Sequence, residues 1–170
     1  MKDEITFVDF RKEHGLELIQ LWRKSFAQAI GIKEDTREEE VNEHLAYLQT
    51  YNPGIIRVAL EKNKNEIVGF MAKEENTIKD LFIHVDYQRK GLGSSFIQQA
   101  KKEEEFLTLS TFQLNKGAQE FYKFHNFVIA RHGFASVEGN AWANNKEQLA
   151  DITYEWKRVT KKLQSRYQEP

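Results

Sequence analysis

The chain has 170 residues, of which 40% are hydrophobic and 30% charged, and its formal net charge is −1. This size predicts one soluble domain with a hydrophobic core, and the balanced charge argues against a dedicated nucleic-acid-binding protein. The absence of cysteine excludes disulfides, thiolate metal sites and a cysteine nucleophile, and the lack of a long apolar stretch or N-terminal leader predicts a cytoplasmic protein without a membrane partner.

The first third of the chain predicts one strand followed by two helices. Residues 5–10 alternate in polarity as a strand does, and residues 13–29 carry a broad apolar face at helical spacing. Thr36 and Glu39 match a capping box at the start of a second helix, predicted over residues 36–51.

The rest of the chain alternates between strands and two further helices. The predicted strands span residues 55–60, 66–72, 81–85, 106–112, 127–130 and 152–156. One helix carries an apolar stripe from Leu92 to Ala100, and another spans residues 116–125. An antiparallel meander followed by strand–helix units indicates a mixed α/β fold. We expect one domain over residues 1–158 and a C-terminal tail over residues 159–170.

A glycine-containing turn joins a buried strand to an amphipathic helix, with the sequence Gln88-Arg89-Lys90-Gly91-Leu92-Gly93. Glycine lets the backbone turn tightly and lets a ligand approach the peptide N–H groups. The first turn of a helix offers unpaired N–H groups and the positive end of the helix dipole, which suits a phosphate. The turn therefore predicts a pyrophosphate site, with plain turn chemistry as the alternative. It is neither a dinucleotide fingerprint, because position 96 is Phe, nor a P-loop.

Two blocks of sequence resemble the GNAT N-acetyltransferase superfamily. Gln-x-x-Gly-x-Gly after a strand is similar to the acetyl-CoA-binding segment of that family. Downstream, the run from Asn115 through Ala118, Phe121 and Tyr122 to Phe127 resembles its Asn-x-x-Ala-x-x-Phe-Tyr-x-x-x-Gly-Phe block. The one departure is Asn where the family usually has Gly, and Asn tolerates the same left-handed backbone.

The resemblance implies a mixed, mostly antiparallel sheet of six to seven strands, splayed between strands 4 and 5, with about four helices. Acetyl-CoA would lie in the splay as co-substrate. The cofactor-binding residues that the resemblance implies are Leu81, Phe82, Ile83, Gln88, Arg89, Lys90, Gly91, Gly93, Ser94 and Asn115.

The resemblance also implies a catalytic role for Tyr122, as the acid that protonates the departing CoA thiolate; packing alone is the alternative. Asp80 shares a strand face with His84 and is a candidate base. An ordinary hydrogen-bonded role for Asp80 is equally open, because Thr77 stands where several relatives carry a glutamate. We expect His84 to be structural. No pair of histidines has metal-ligand spacing on one helix face, so no metal site is predicted.

The predicted activity is acetyl-CoA-dependent N-acetyl transfer to a primary amine, by direct attack in a ternary complex without an acyl-enzyme. Aromatic candidates for the acceptor pocket are Trp22, Phe26, Tyr47, Tyr51 and Trp142, each of which could instead be core. The acceptor would be a small-molecule or peptide amine, and a homodimer stays open. The alternative function is a non-catalytic acyl-CoA-binding sensor of the same fold.

Overall fold

The computed structural model describes residues 4–159. Their strands are β1 (Ile5–Asp9), β2 (Ile56–Glu61), β3 (Glu66–Glu74), β4 (Thr77–Ile83), β5 (Phe106–Phe112), β6 (Val128–Phe134) and β7 (Ala150–Lys157). Their α-helices are α1 (Gly15–Ile30), α2 (Glu38–Leu48), α3 (Leu92–Glu103) and α4 (Lys116–Phe124). Beyond residue 159, the predicted C-terminal tail lies outside the described residues. No helix among residues 4–159 is both long and apolar enough to cross a membrane.

The seven strands form one sheet in the order β1-β2-β3-β4-β5-β7-β6. Neighbours are antiparallel except β4 and β5, which are parallel and meet at a single pair, Thr77 with Thr108. The two strands diverge beyond that pair, so the predicted mixed sheet with a splay between strands 4 and 5 is confirmed.

Each face of the sheet has its own hydrophobic core. On one face Leu18 and Ile19 of α1 pack with Phe70 of β3. On the other face Phe96 and Ile97 of α3 pack with strand residues of β3, β5 and β7. The sheet therefore lies between two helix pairs, α1 with α2 on one face and α3 with α4 on the other.

The predicted capping box of α2 is wrong. The helix begins at Glu38 after Arg37, and no side chain caps it. Asp35 instead accepts from the Arg37 backbone at 3.1 Å and binds its guanidinium at 2.7 Å, and these bonds lower the pKa of Asp35 to about 2. The helix also ends earlier than predicted, at Leu48. Tyr51 therefore lies outside the helix, and the turn after Leu48 sets the direction of its side chain.

Two other boundaries follow from local side-chain bonds. The strand predicted over residues 81–85 begins at Thr77 and ends at Ile83, because the His84 ring accepts the Asp86 N–H at 3.1 Å and starts a turn. The predicted cap of α4 is confirmed, since the Asn115 side chain accepts the Ala118 N–H at 3.0 Å.

Candidate functional site

The glycine turn presents unpaired backbone donors at the start of α3. Gly91 is the N-cap, with φ of 85°, and Arg89 also has a left-handed backbone, with φ of 61°. The N–H groups of Gly91, Leu92, Gly93 and Ser94 donate none of the hydrogen bonds found among residues 4–159. A Cβ at Gly91 would meet no atom within 4 Å. Orphan donors beside open space fit an anionic group such as a pyrophosphate.

The space beside Gly93 belongs to the protein rather than to a ligand. A Cβ at Gly93 would lie 3.2 Å from Cζ of Phe121 on α4, so this glycine allows α3 and α4 to pack closely. Ser94 Oγ lies 2.9 Å from Nε2 of His125, and burial lowers the pKa of His125. Phe121 thus fills the space on the Cβ side of Gly93 while the Gly93 N–H stays among the unpaired donors, and the binding of a cofactor at Gly91 and Gly93 stays a prediction.

The edge of β4 that faces the splay carries outward backbone groups. The His84 N–H bonds to the Val68 carbonyl on β3 at 2.8 Å. Along an antiparallel strand, the backbone N–H and C=O groups of successive residues point alternately to one neighbouring strand and to the other. Leu81 and Ile83 therefore direct their N–H and C=O groups away from β3. The Ile83 carbonyl already accepts from Ser25 Oγ at 2.9 Å and from the Gln88 side chain at 3.0 Å.

Asp80 is a half-buried carboxylate that a tyrosine holds in place. The Tyr51 hydroxyl donates to Asp80 Oδ2 at 2.7 Å, and Lys79 Nζ lies 4.4 Å from the centre of the Tyr51 ring. Lys79 is the extra residue where the pairing of β3 and β4 shifts register, and such bulges re-aim neighbouring side chains. Burial raises the pKa of Asp80 to about 6, against the lowering effects of Tyr51 and Lys79.

Tyr122 is buried on the α4 side of the splay. Its ring lies 5.5 Å from that of Phe127 and 6.0 Å from that of Tyr154. Burial raises the pKa of Tyr122, and the charge of Asp80 raises it further. Its hydroxyl enters none of the side-chain hydrogen bonds in the described part of the chain. Both effects keep the Tyr122 hydroxyl protonated at neutral pH.

The aromatic candidates divide into two groups. Trp22 lies 4.4 Å from the His44 ring and 5.5 Å from the Phe82 ring, at the margin of the α1 core. Phe26 lies 5.5 Å from Trp142 instead. The predicted pocket residues Phe26 and Trp142 are thus brought together, whereas Trp22 joins the α1 core. Among residues 4–159, no group of three or more metal-ligating side chains is suited to hold a metal.

The comparisons with known proteins agree with this geometry. The family model described as an acetyltransferase (GNAT) domain matches residues 52–129, which include the splayed strand, the glycine turn and α4. Over residues 52–129 the chain is therefore similar to GNAT acetyltransferases. No curated protein matches it in sequence.

Solved structures share the GNAT fold over most of the chain. Apo-form YjaB from Escherichia coli is 21% identical with a TM-score of 0.67, and the match covers 90% of this chain and 97% of that one. A GNAT-family acetyltransferase from Staphylococcus aureus Mu50 is 16% identical with a TM-score of 0.64, covering 91% and 99%. A putative streptothricin acetyltransferase from Bacillus anthracis Ames, in complex with acetyl coenzyme A, is 26% identical with a TM-score of 0.50, covering 60% and 61%.

Two contacts at this candidate site are missing from the sequence prediction. Ser25 on α1 reaches the Ile83 carbonyl across 58 positions of sequence, and Tyr51 reaches Asp80 across 29. Ser25 is 3% exposed, and a buried polar residue within the apolar face of a predicted helix is the one hint that the sequence offers. For Tyr51 the sequence offers only an aromatic residue near a turn.

Proposed function

We propose that this protein transfers the acetyl group of acetyl-CoA to a primary amine, by direct attack in a ternary complex. The observation that carries the proposal is the presence of two buried titratable groups at the splay: burial raises the pKa of both Asp80 and Tyr122, and the charge of Asp80 raises that of Tyr122 further. Titratable groups shifted toward different tasks at one cleft are typical of acid–base catalysis. The related acetyltransferase in complex with acetyl coenzyme A supports the donor.

The glycine turn and the edge of β4 would bind acetyl-CoA. The orphan N–H groups at the start of α3 suit the pyrophosphate, and Arg89 and Lys90 add positive charge beside them. Leu81 and Ile83 offer outward backbone groups on the flanks of Phe82, although the Ile83 carbonyl is already shared with Ser25 and Gln88. Hydrogen bonds to the bound arm would therefore come chiefly from the Leu81 amide and carbonyl and from the Ile83 N–H.

Asp80 would act as the base. Attack requires a neutral amine, and a carboxylate with a pKa of about 6 is ionised at neutral pH yet basic enough to share the proton of an ammonium group. Tyr51 donates to one carboxylate oxygen and leaves the other available to the amine. The C–N bond forms as the C–S bond breaks, and the amine proton passes to Asp80.

Tyr122 would protonate the departing CoA thiolate. Its pKa is raised by burial, so its hydroxyl is a donor at every working pH, though a weaker acid than an exposed tyrosine. Its phenolic ring is fixed by Phe127 and Tyr154. Asn115, the cap of α4, sets the start of the helix that carries this ring.

Binding and turnover experiments together test the proposal. Calorimetry with acetyl-CoA measures the cofactor site, and release of free thiol over a panel of primary amines measures transfer. Asp80→Asn should keep acetyl-CoA binding and lose turnover by about 10²-fold or more. A protein that binds acetyl-CoA but acetylates no amine would support the sensor, and one that does not bind it would contradict both functions. The cytoplasmic location, the exclusion of nucleic-acid partners and a homodimer stay predictions.

A further inference from the structure

Three aromatic side chains meet outside both hydrophobic cores. Phe26 of α1 lies 5.9 Å from Phe112 of β5, and both lie within 5.5 Å of Trp142 in the connection between β6 and β7, ring centre to ring centre. Neither core includes any of the three, and each is half-buried. Together with Phe82, 6.4 Å from Phe26, these rings form what we call the aromatic surface.

Polar contacts fix Trp142, one ring of the aromatic surface. Trp142 Nε1 donates to Asn140 Oδ1 at 3.1 Å, and the Asn140 side chain donates to the Ser136 carbonyl at 2.8 Å. The long connection is tied at its base by the Ala135 N–H, which donates to the Leu149 carbonyl at 2.8 Å. Rings fixed in advance bind a flat apolar partner with little loss of entropy.

The aromatic surface runs directly to the proposed base. Asp80 and Phe82 share one face of β4, because residues two apart on a strand point to the same side. Phe82 thus connects the carboxylate at one end with Phe26, Phe112 and Trp142 at the other. An amine placed beside Asp80 would lay the rest of its molecule across these rings.

We propose that the acceptor is a primary amine carried on an aromatic body, which packs against Phe26, Phe82, Phe112 and Trp142 while its amino group reaches Asp80. This inference rests on the proposed acetyl transfer and names the substrate class of the same site. Pockets for small molecules are lined in this way, with mostly apolar and aromatic groups and a few placed polar ones.

A comparison of matched amines tests the inference. With saturating acetyl-CoA, free-thiol release is measured for 2-phenylethylamine, butylamine, spermidine and glycine. The two monoamines differ in the ring, so kcat/KM for 2-phenylethylamine should exceed that for butylamine by about tenfold or more. Trp142→Leu and Phe112→Leu should each raise the KM for 2-phenylethylamine about tenfold and leave the KM values for butylamine and acetyl-CoA nearly unchanged.

Phe124→Leu is the matched control, because Phe124 is 78% exposed on α4 and should alter no constant. Equal kcat/KM for the two monoamines, faster turnover of spermidine or glycine, or variants that leave 2-phenylethylamine kinetics unchanged would overturn the inference. If no amine is acetylated, calorimetry of 2-phenylethylamine with the CoA-bound protein separates the two ideas. Binding that Trp142→Leu weakens would support the substrate class and contradict acetyl transfer, whereas no binding would overturn the substrate class.

Discussion

Replacing Tyr51 with Phe tests the proposed base by its titration. The substitution keeps the ring that Lys79 covers and removes the hydroxyl that donates to Asp80 at 2.7 Å. That hydrogen bond lowers the pKa of Asp80, because it stabilises the ionised form. Without it the carboxylate should hold its proton to higher pH, and the acid limb of the kcat/KM profile should move upward.

The size of the shift follows from the strength of the bond. A hydrogen bond to a charged group contributes about 1.5–3 kcal/mol, and the lower end applies because Asp80 is half-buried and water can replace part of the contact. Since one pKa unit corresponds to about 1.4 kcal/mol, the acid limb should rise by about one unit from its starting value of about 6. The variant would then lose about twofold in kcat/KM at pH 7, about ninefold at pH 5 and nothing at pH 9.

The assay is thiol release at low amine concentration between pH 5 and 9. Tyr47→Phe is the matched control, because the Tyr47 hydroxyl lies 3.5 Å from that of Tyr51 and makes no hydrogen bond with Asp80. Its acid limb should stay in place. An unmoved limb in Tyr51→Phe, or an equal movement in both variants, would refute the assignment of Asp80 as the group that titrates.

Four further substitutions test the remaining parts of the site. Tyr122→Phe should lower kcat by about 10²-fold with little change in acetyl-CoA affinity; normal turnover by the variant would mean that the tyrosine only packs. Gly91→Val should weaken acetyl-CoA binding in a folded protein, because it disturbs a left-handed turn beside open space. Gly93→Val should instead lower the urea midpoint of unfolding, because the new side chain meets Phe121. Calorimetry with acetyl-CoA measures the first effect and urea titration the second. Asn115→Ala should cost about 1 kcal/mol of unfolding free energy by loss of the helix cap, and an unchanged urea midpoint would contradict this.

Features set by neighbouring residues could be predicted from the sequence. The left-handed turn at Gly91, the cap at Asn115 and the left-handed Asn126, with φ of 66°, each depend on a backbone preference that one side chain carries. The capping box failed for a local reason as well. Asp35 and Thr36 are both residue types that cap helices, and the sequence pattern alone does not show that Asp35 binds Arg37 while Thr36 leaves the helix uncapped.

Contacts between distant segments could be predicted only in part. Phe26 and Trp142 are candidates for one acceptor pocket, but nothing in the sequence adds Phe112 to them, because the long connection between β6 and β7 carries no periodicity that would place it. Asp80 was identified as a candidate by strand alternation, but its partner Tyr51 was not, since a predicted helix extended through that position. The raised pKa of Asp80 depends on the packing of the whole cleft, which composition and spacing do not encode.

The single pair between β4 and β5 bears on how long the protein lasts in a cell. Few strand contacts join the two halves of the sheet, and a bound acetyl-CoA would touch both halves. Because the ligand binds the folded state, it should raise the free energy of unfolding by about 2.7 kcal/mol at a hundredfold excess over Kd. Proteases act on transiently opened chains. We therefore expect a longer half-life under limited proteolysis with acetyl-CoA than without it, which would tie the abundance of the protein to the supply of its own acetyl donor.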